Sequence, residues 1–117
     1  MAEKKYDSEE RTYNFARNVA YFTKKLPKSS CNFKYTDQVI SSSGSVGANY
    51  IEANESLSKK DFVLRIKICR KEAKESAYWL RLIVDTNSNE FSKEGIALKN
   101  EAEELKKIFS AIVDKSK

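Results

Sequence analysis

The chain has 117 residues with a net charge of +5; 40% of its residues are hydrophobic and 33% are charged. This length suits one domain, the apolar content excludes a disordered chain, and three glycines with one proline are too few for a many-stranded β fold. No apolar run approaches the ~18 residues that span a bilayer and the N-terminus lacks an apolar signal segment, so we expect a cytoplasmic protein without a membrane partner.

The first predicted helix covers residues 8–26. Its apolar positions recur at spacings of three and four residues, which is typical of one face of a helix. These positions are Thr12, Phe15, Ala16, Val19, Phe22 and Leu26. Pro27 is predicted to end the helix, because the residue before a proline is pushed out of the α region.

The second predicted helix begins between Asn32 and Thr36 and is assigned to residues 34–55. The positions that share one side of it are Val39, Ser43, Val46, Tyr50 and Leu57. A short loop rich in serine and lysine separates it from the first helix.

The stretch SVGANYIEAN, inside the second helix, could also be read as a phosphate-binding loop. Such a loop needs a preceding strand and often a lysine, and this stretch has neither, while the helical spacing continues through it. Glycine is unfavourable inside a helix by up to ~1 kcal/mol, so its presence calls for a compensating contact. We therefore predict a small-residue packing surface made of Ser43, Gly44, Gly47 and Ala48.

The third predicted helix covers residues 59–85, with Ser58 as its cap and Asp61 three residues later. Its apolar positions alternate strictly by four and three residues, the pattern of a helix-bundle seam. They are Phe62, Ile66, Cys69, Ala73, Ser76, Leu80 and Ile83.

The fourth predicted helix covers residues 93–115, with Ser92 as its cap. The four-three pattern continues through Leu98, Ala102, Leu105, Phe109 and Ile112. Four helices with short connections predict an all-α fold, an antiparallel up-down-up-down four-helix bundle that spans residues 1–117 as one domain.

The residues that carry most enzyme chemistry are scarce. The chain has no histidine, the commonest general base and metal ligand, and its two cysteines, Cys31 and Cys69, are isolated. We expect no disulfide, metal site or cofactor, and no enzymatic activity.

The positive charge is concentrated in two segments. Residues 1–34 and residues 58–85 each carry eight Lys or Arg against four Asp or Glu. On the third helix the cations share one arc with one aromatic residue: Lys60, Lys67, Arg70, Lys71, Lys74, Arg81 and Tyr78. Cations along a rigid element suit phosphate contacts and an aromatic ring suits base stacking, so this arc is a candidate nucleic-acid surface. The alternative is a merely solvated lysine-rich face.

A second apolar stripe lies almost opposite the core seam of the third helix. It consists of Leu64, Ile68, Trp79 and Leu82. A helix in an isolated bundle should be polar there, and a stripe with a tryptophan more often marks a partner surface. We predict an oligomer interface.

Three motifs occupy the middle of the chain. SKKDF occupies residues 58–62, KEAKESAYWL occupies residues 71–80, and Ser45, Val46, Asn49 and Glu52 form a spaced block on the second helix. In these motifs the chain closely resembles a family of four-helix bundles associated with intervening sequences in bacterial 23S ribosomal RNA. The resemblance extends more loosely to the first helix and so covers nearly the whole chain.

This resemblance implies an antiparallel four-helix bundle that assembles into a homopentamer, with no enzymatic activity. It also implies similarity to the accessory variability protein of diversity-generating retroelements, which binds nucleic acid and a reverse transcriptase. RNA or DNA, a reverse transcriptase and another protein are therefore the candidate partners.

Asn49 and Glu52 share one face of the second helix. A general-base role for Glu52 lacks an accompanying nucleophile, so a hydrogen-bonding node is favoured, with Arg65 or Lys67 as partner. The leading hypothesis is a non-enzymatic oligomeric scaffold that binds structured RNA or another nucleic acid. The alternative is a protein-binding assembly module.

Overall fold

Four long helices make up most of the chain, as the repeating apolar pattern predicts. The computed structural model describes the backbone of residues 2–117 and the side chains of residues 8–117. The helices are α1 (Ala2–Lys24), α2 (Ser30–Asn54), α3 (Lys59–Thr86) and α4 (Ser92–Lys115), and a single 3₁₀ turn precedes α4.

The first two helices begin earlier than predicted. α1 begins at Ala2 because no glycine or proline interrupts the helical run before Ser8, which therefore lies inside the helix. α2 begins at Ser30 instead of between Asn32 and Thr36, because the Ser29 hydroxyl accepts a hydrogen bond from the Asn32 N–H at 3.0 Å.

The other helix ends lie within two residues of the prediction, and one of the two predicted caps is present. α1 ends at Lys24, two residues before the predicted end, and α3 extends one residue beyond the predicted end to Thr86. The Ser58 cap is confirmed, since its hydroxyl accepts from the Asp61 N–H at 3.0 Å. The prediction for Ser92 is wrong: the 3₁₀ turn Asn89–Phe91 leads directly into α4, and Ser92 is its first residue.

Neighbouring helices run antiparallel. Between α1 and α4, the Arg11 guanidinium donates to Glu101 at 2.6 and 2.9 Å, while Lys25 contacts Glu94 at 2.8 Å, so rising numbers on one helix meet falling numbers on the other. The same order joins α2 to α3, where position 35 faces position 79 and position 49 faces position 65. Short connections complete the up-down-up-down order.

The core contains nearly all the predicted seam positions. Buried apolar residues from all four helices form one cluster, in which Phe15, Phe22 and Phe109 are the largest fully buried side chains. The prediction for Leu57 is wrong, since α2 ends at Asn54 and the Leu57 side chain is 101% exposed in the following turn. On α4, the predicted Ile112 is partly buried against the core, and the adjacent Val113 is buried.

Gly47 lies inside α2 at a close contact with α1, as predicted. A Cβ atom at this position would lie 3.1 Å from Thr12 Oγ1 and 3.4 Å from Thr12 Cβ. Gly44 has no such role, because a Cβ there would meet nothing within 4 Å. The small-residue surface is therefore narrower than predicted and centres on Gly47, while Ala48 is exposed.

Two small buried polar contacts join α2 to α3. The hydroxyls of Ser42 and Ser76 are hydrogen bonded at 2.8 Å, and the Cys69 thiol lies 3.4 Å from the Val46 carbonyl oxygen. Burial raises the pKa of the Cys69 thiol to about 12. Cys31, by contrast, is exposed, and both cysteines are free thiols.

None of the helices in the described part of the chain is long and apolar enough to cross a membrane.

Candidate nucleic-acid interface

Four cations on α3 recur at intervals of seven residues. They are Lys60, Lys67, Lys74 and Arg81, and all four are exposed. Seven residues are nearly two helical turns, so these four side chains follow one line along the helix, called the α3 stripe below, with steps of about 10.5 Å. An α-helix drifts ~20° per seven residues against such a repeat, and the stripe therefore turns gradually towards one neighbouring helix.

That neighbour is α4, and the two helices form a groove. The groove is lined by Lys74, Ala77, Tyr78, Arg81, Lys99, Glu103 and Lys106 and is called the α3–α4 groove below. Lys99 and Lys106 are also seven residues apart, so they match the spacing of Lys74 and Arg81.

Gly95 sets the register of the two helices across this groove. A Cβ atom at Gly95 would lie 2.4 Å from Val84 Cγ2, so the glycine lets α4 approach α3 closely. Counting in opposite directions from this contact brings Lys74 level with Lys106 and Arg81 level with Lys99. Four cations from two helices thus surround Tyr78 and Glu103.

Most of these cations have no ion-pair partner in the part of the chain whose side chains are described. Within residues 8–117, no carboxylate lies within ion-pair distance of Lys67, Lys74, Arg81 or Lys106. Lys99 is the exception in the groove, with Glu103 at 3.4 Å. Of the other predicted residues, Lys71 lies 3.7 Å from the Glu72 carboxylate, and Arg70 is half-buried.

Tyr78 is the aromatic residue of this surface. Its side chain is 58% exposed, and its ring meets Trp79 edge-on, with centroids 5.0 Å apart and an interplanar angle of 79°. Trp79 in turn packs against Tyr35 of α2, with centroids 6.1 Å apart. The tyrosine ring is therefore supported from the side by Trp79 while more than half of its surface is open to solvent.

The predicted oligomer stripe is only partly open. Leu64 is 56% exposed, whereas Ile68, Trp79 and Leu82 are half-buried within the single chain. The helical projection placed Trp79 outward, but the ring of Tyr35 reaches across from α2 and contacts it.

Three of the exposed aliphatic side chains lie in or near the turn between α2 and α3. Ile51 near the end of α2, Leu57 in the turn and Leu64 near the start of α3 are all exposed. We call these three residues the α2–α3 apolar end. It lies at the opposite end of α3 from Arg81.

The predicted node on α2 uses Arg65 and not Lys67. The Arg65 guanidinium donates to Asn49 Oδ1 at 3.1 Å, while the Asn49 amide donates to the Ser45 carbonyl and hydroxyl at 2.9 and 3.0 Å. This set of bonds joins α2 to α3. The Glu52 side chain is exposed and lies outside it.

Sequence reasoning missed Lys99, Lys106 and Glu103 as members of the site. The seven-residue spacing of Lys99 and Lys106 is visible in the sequence, but the periodicity of α4 by itself predicts only which residues are buried. Which flank of α4 faces the α3 stripe depends on the packing of two helices. No group of three or more potential metal ligands is present in the part of the chain that the structure describes.

The chain matches a known protein family over most of its length. The model for the 23S rRNA-intervening sequence protein family matches residues 4–111, which is nearly the whole chain. The chain belongs to this family. The match includes α3 and most of α4, so both walls of the α3–α4 groove lie within the family region.

A solved structure supports the assignment of the 23S rRNA-intervening sequence fold. The chain is similar to a protein of unknown function from the S23 ribosomal protein family of Bacteroides thetaiotaomicron VPI-5482, with 29% sequence identity and a TM-score of 0.79. The similarity covers 91% of this chain and 97% of that protein. A comparison with curated proteins gave no match.

Proposed function

We propose that this protein is a non-enzymatic helical scaffold that binds structured RNA or another nucleic acid through the α3 stripe and the α3–α4 groove. The observation that carries the proposal is the convergence of Lys74, Arg81, Lys99 and Lys106 around the exposed ring of Tyr78. Phosphate contacts supply affinity and an aromatic ring supplies a stacking surface.

The charge balance of this surface supports a polyanionic ligand. Lys67, Lys74 and Arg81 are exposed cations without ion-pair partners among residues 8–117. A phosphate backbone releases counterions when such cations neutralise it, and this release drives binding. The family's link to 23S rRNA intervening sequences makes RNA the first polyanion to test.

The scaffold is further proposed to be a homo-oligomer, with a pentamer favoured by the resemblance described above. Repeated copies of one basic surface would bind a long RNA much more tightly than one copy, because tethered sites act at a raised effective concentration. The α2–α3 apolar end, which includes Leu64 of the predicted oligomer stripe, supplies the exposed aliphatic surface for such contacts. Light scattering that gives a 13.4 kDa monomer at micromolar concentration would contradict this assembly.

The α2–α3 apolar end also favours a second candidate function, a protein-binding assembly module in which the basic face is only solvated. Three exposed aliphatic residues at one end of the bundle suit a protein partner better than a phosphate backbone. A reverse transcriptase or another protein would be the partner. Binding to such a partner should depend weakly on salt, unlike phosphate contacts.

Charge reversal on α3 tests the nucleic-acid function. The variant Lys67→Glu, Lys71→Glu, Lys74→Glu changes three exposed positions away from the core, so it should fold normally. We expect its affinity for a structured RNA at low salt to fall by roughly tenfold or more. Fluorescence anisotropy with a labelled RNA hairpin measures the change, and circular dichroism checks the fold.

A matched variant controls for the overall charge. Lys24→Glu, Lys28→Glu, Lys34→Glu makes the same change in net charge at exposed positions near the α1–α2 loop. We expect this control to lose much less affinity than the α3 variant. Equal losses would show that binding depends only on net charge, and an unmutated protein that binds neither RNA nor DNA at low salt would overturn the proposal.

A further inference from the structure

We infer that the α3–α4 groove holds an unpaired base of the bound RNA against Tyr78, so that single-stranded segments are selected over duplex. The inference rests on the proposed function and deepens it, since it assigns the class of nucleic acid that this groove recognises. Three observations support it: the exposed ring of Tyr78, the arrangement of cations around that ring, and the carboxylate of Glu103.

The position of the ring argues for stacking. Tyr78 is 58% exposed, lines a concave groove between two helices and is supported by the edge-on contact with Trp79 at 5.0 Å. Trp79 is itself fixed against Tyr35, so the support is continuous with the fold. A supported ring loses little conformational freedom when a base stacks on it. Bases inside a duplex are already stacked on each other, and only an unpaired base can occupy this ring.

The cations argue that the strand passes along the groove. Lys74 and Lys106 form one row across it and Arg81 and Lys99 form the other, with Tyr78 between the rows. The rows lie about 10.5 Å apart along the helices. At ~3.4 Å for each stacked step, this separation corresponds to about three nucleotides of one strand, with the base of a middle nucleotide near the tyrosine.

The carboxylate of Glu103 should weaken the binding of phosphate in the groove. This carboxylate lies 3.4 Å from Lys99 and is part of the groove lining. It neutralises one of the four cations and repels a phosphate that approaches that row. Removal of this charge should therefore strengthen binding of a strand that runs through the groove.

The first test compares a single strand with a duplex. An RNA of about 12 nucleotides, alone and paired with its complement, is titrated with the protein at ~50 mM salt. We expect Tyr78→Ala to reduce affinity for the single strand about tenfold, and to change duplex affinity by less than about twofold. Tyr78→Phe keeps the ring and should retain single-strand affinity.

Tyr13→Ala is the matched aromatic control. Tyr13 is 60% exposed and has the Arg17 guanidinium 6.0 Å from its ring, but it lies on α1, which is not part of the groove. We expect no change in affinity for either RNA. If Tyr13→Ala and Tyr78→Ala weaken single-strand binding equally, the assignment of the base to this groove is overturned.

The second test uses two neighbouring glutamates on α4. Glu103→Gln should raise single-strand affinity about twofold or more by freeing Lys99. Glu104→Gln makes the same charge change next to it, but Glu104 pairs with Lys107 and acts electrostatically on Arg11 of α1, away from the groove. Equal effects of the two changes would contradict a strand that runs past Lys99.

The outcomes separate this inference from the proposed function. If the unmutated protein binds both RNAs and Tyr78→Ala weakens neither or both equally, the inference is overturned while the proposed function stands. If the unmutated protein binds neither of these RNAs, nor an RNA hairpin, nor DNA at low salt, the proposed function itself is overturned.

Discussion

Two adjacent residues of α3, Tyr78 and Trp79, have different surroundings although their rings meet edge-on. Trp79 faces α2, where its ring packs against Tyr35 and is half-buried. Tyr78 faces α4, where its ring is open to solvent in a groove lined with cations. Both residues are aromatic and both lie off the core seam.

Under the proposed function, one helix therefore separates stability from binding. On the α2 flank, aromatic packing and the bond from Arg65 to Asn49 hold two helices together. On the α4 flank, Lys74 and Arg81 are exposed and have no ion-pair partner among residues 8–117, whereas Lys99 pairs with Glu103. We expect changes on the α2 flank to alter the free energy of unfolding and changes on the α4 flank to alter affinity for RNA.

The largest expected effect on stability comes from Trp79→Ala. Loss of the half-buried indole and of its contacts with Tyr35 and Tyr78 should lower the free energy of unfolding by about 2–3 kcal/mol. Tyr78→Ala should change it by no more than about 0.5 kcal/mol, since most of that side chain is in water. Urea denaturation followed by circular dichroism measures both values. Equal losses of unfolding free energy in the two variants would contradict the difference between the two flanks.

Trp79→Ala should also weaken self-association. Leu64→Asp separates the two effects, because Leu64 is exposed and its replacement should leave stability nearly unchanged while it places a charge in the proposed interface. We expect light scattering to show a smaller assembly for both variants. If the Leu64→Asp variant assembles like the unmutated chain, Leu64 is not part of the interface.

A smaller effect is expected where α4 approaches α3. In Gly95→Ala the new methyl group would lie 2.4 Å from Val84 Cγ2 and 3.0 Å from Phe22 Cζ, so the Val84 side chain must rotate or the helices must move apart. After a gain in helix propensity, the net loss of stability should be about 1–2 kcal/mol. Gly44→Ala is the control, since it meets nothing within 4 Å and should stabilise α2 by up to ~1 kcal/mol. Thermal denaturation of both variants measures the contrast.

The smallest effect at neutral pH concerns Cys69, whose buried thiol has a pKa of about 12. A raised pKa means that the folded state disfavours the thiolate, so its contribution to stability is complete below the pKa of the unfolded thiol, near 9, and declines as pH rises towards 12. Urea denaturation at pH 8 and pH 10 should therefore show a larger decline for Cys31→Ala, which keeps Cys69, than for Cys69→Ala. Equal declines would mean that Cys69 is not sealed from solvent.

Most of the fold could be predicted from the sequence because the core seam repeats with few interruptions. Four-three spacing identified the buried side of each helix, and Pro27 marked the first turn. The errors fall at helix ends, where one hydrogen bond decides the boundary. Ser29 starts α2 early, and the end of that helix at Asn54 leaves Leu57 outside the seam.

The candidate site was only half visible in the sequence. A projection of α3 finds the cations on that helix, because their positions depend on one helical period. Lys99 and Lys106 belong to another helix, and their place beside Tyr78 depends on how closely Gly95 lets α4 approach. The partial burial of Trp79 was missed for the same reason, since Tyr35 comes from α2.

The most direct test of nucleic-acid binding by the α4 flank is the affinity of the unmutated protein for an RNA hairpin over a series of salt concentrations. We predict that the logarithm of the association constant falls linearly with the logarithm of salt concentration, with a slope that reflects several neutralised phosphates. The slope should become shallower in the double variant Lys74→Ala, Arg81→Ala. The variant Trp79→Ala should leave the slope per bound chain unchanged. Absence of binding at ~50 mM salt, or an affinity that does not change with salt, would contradict the account.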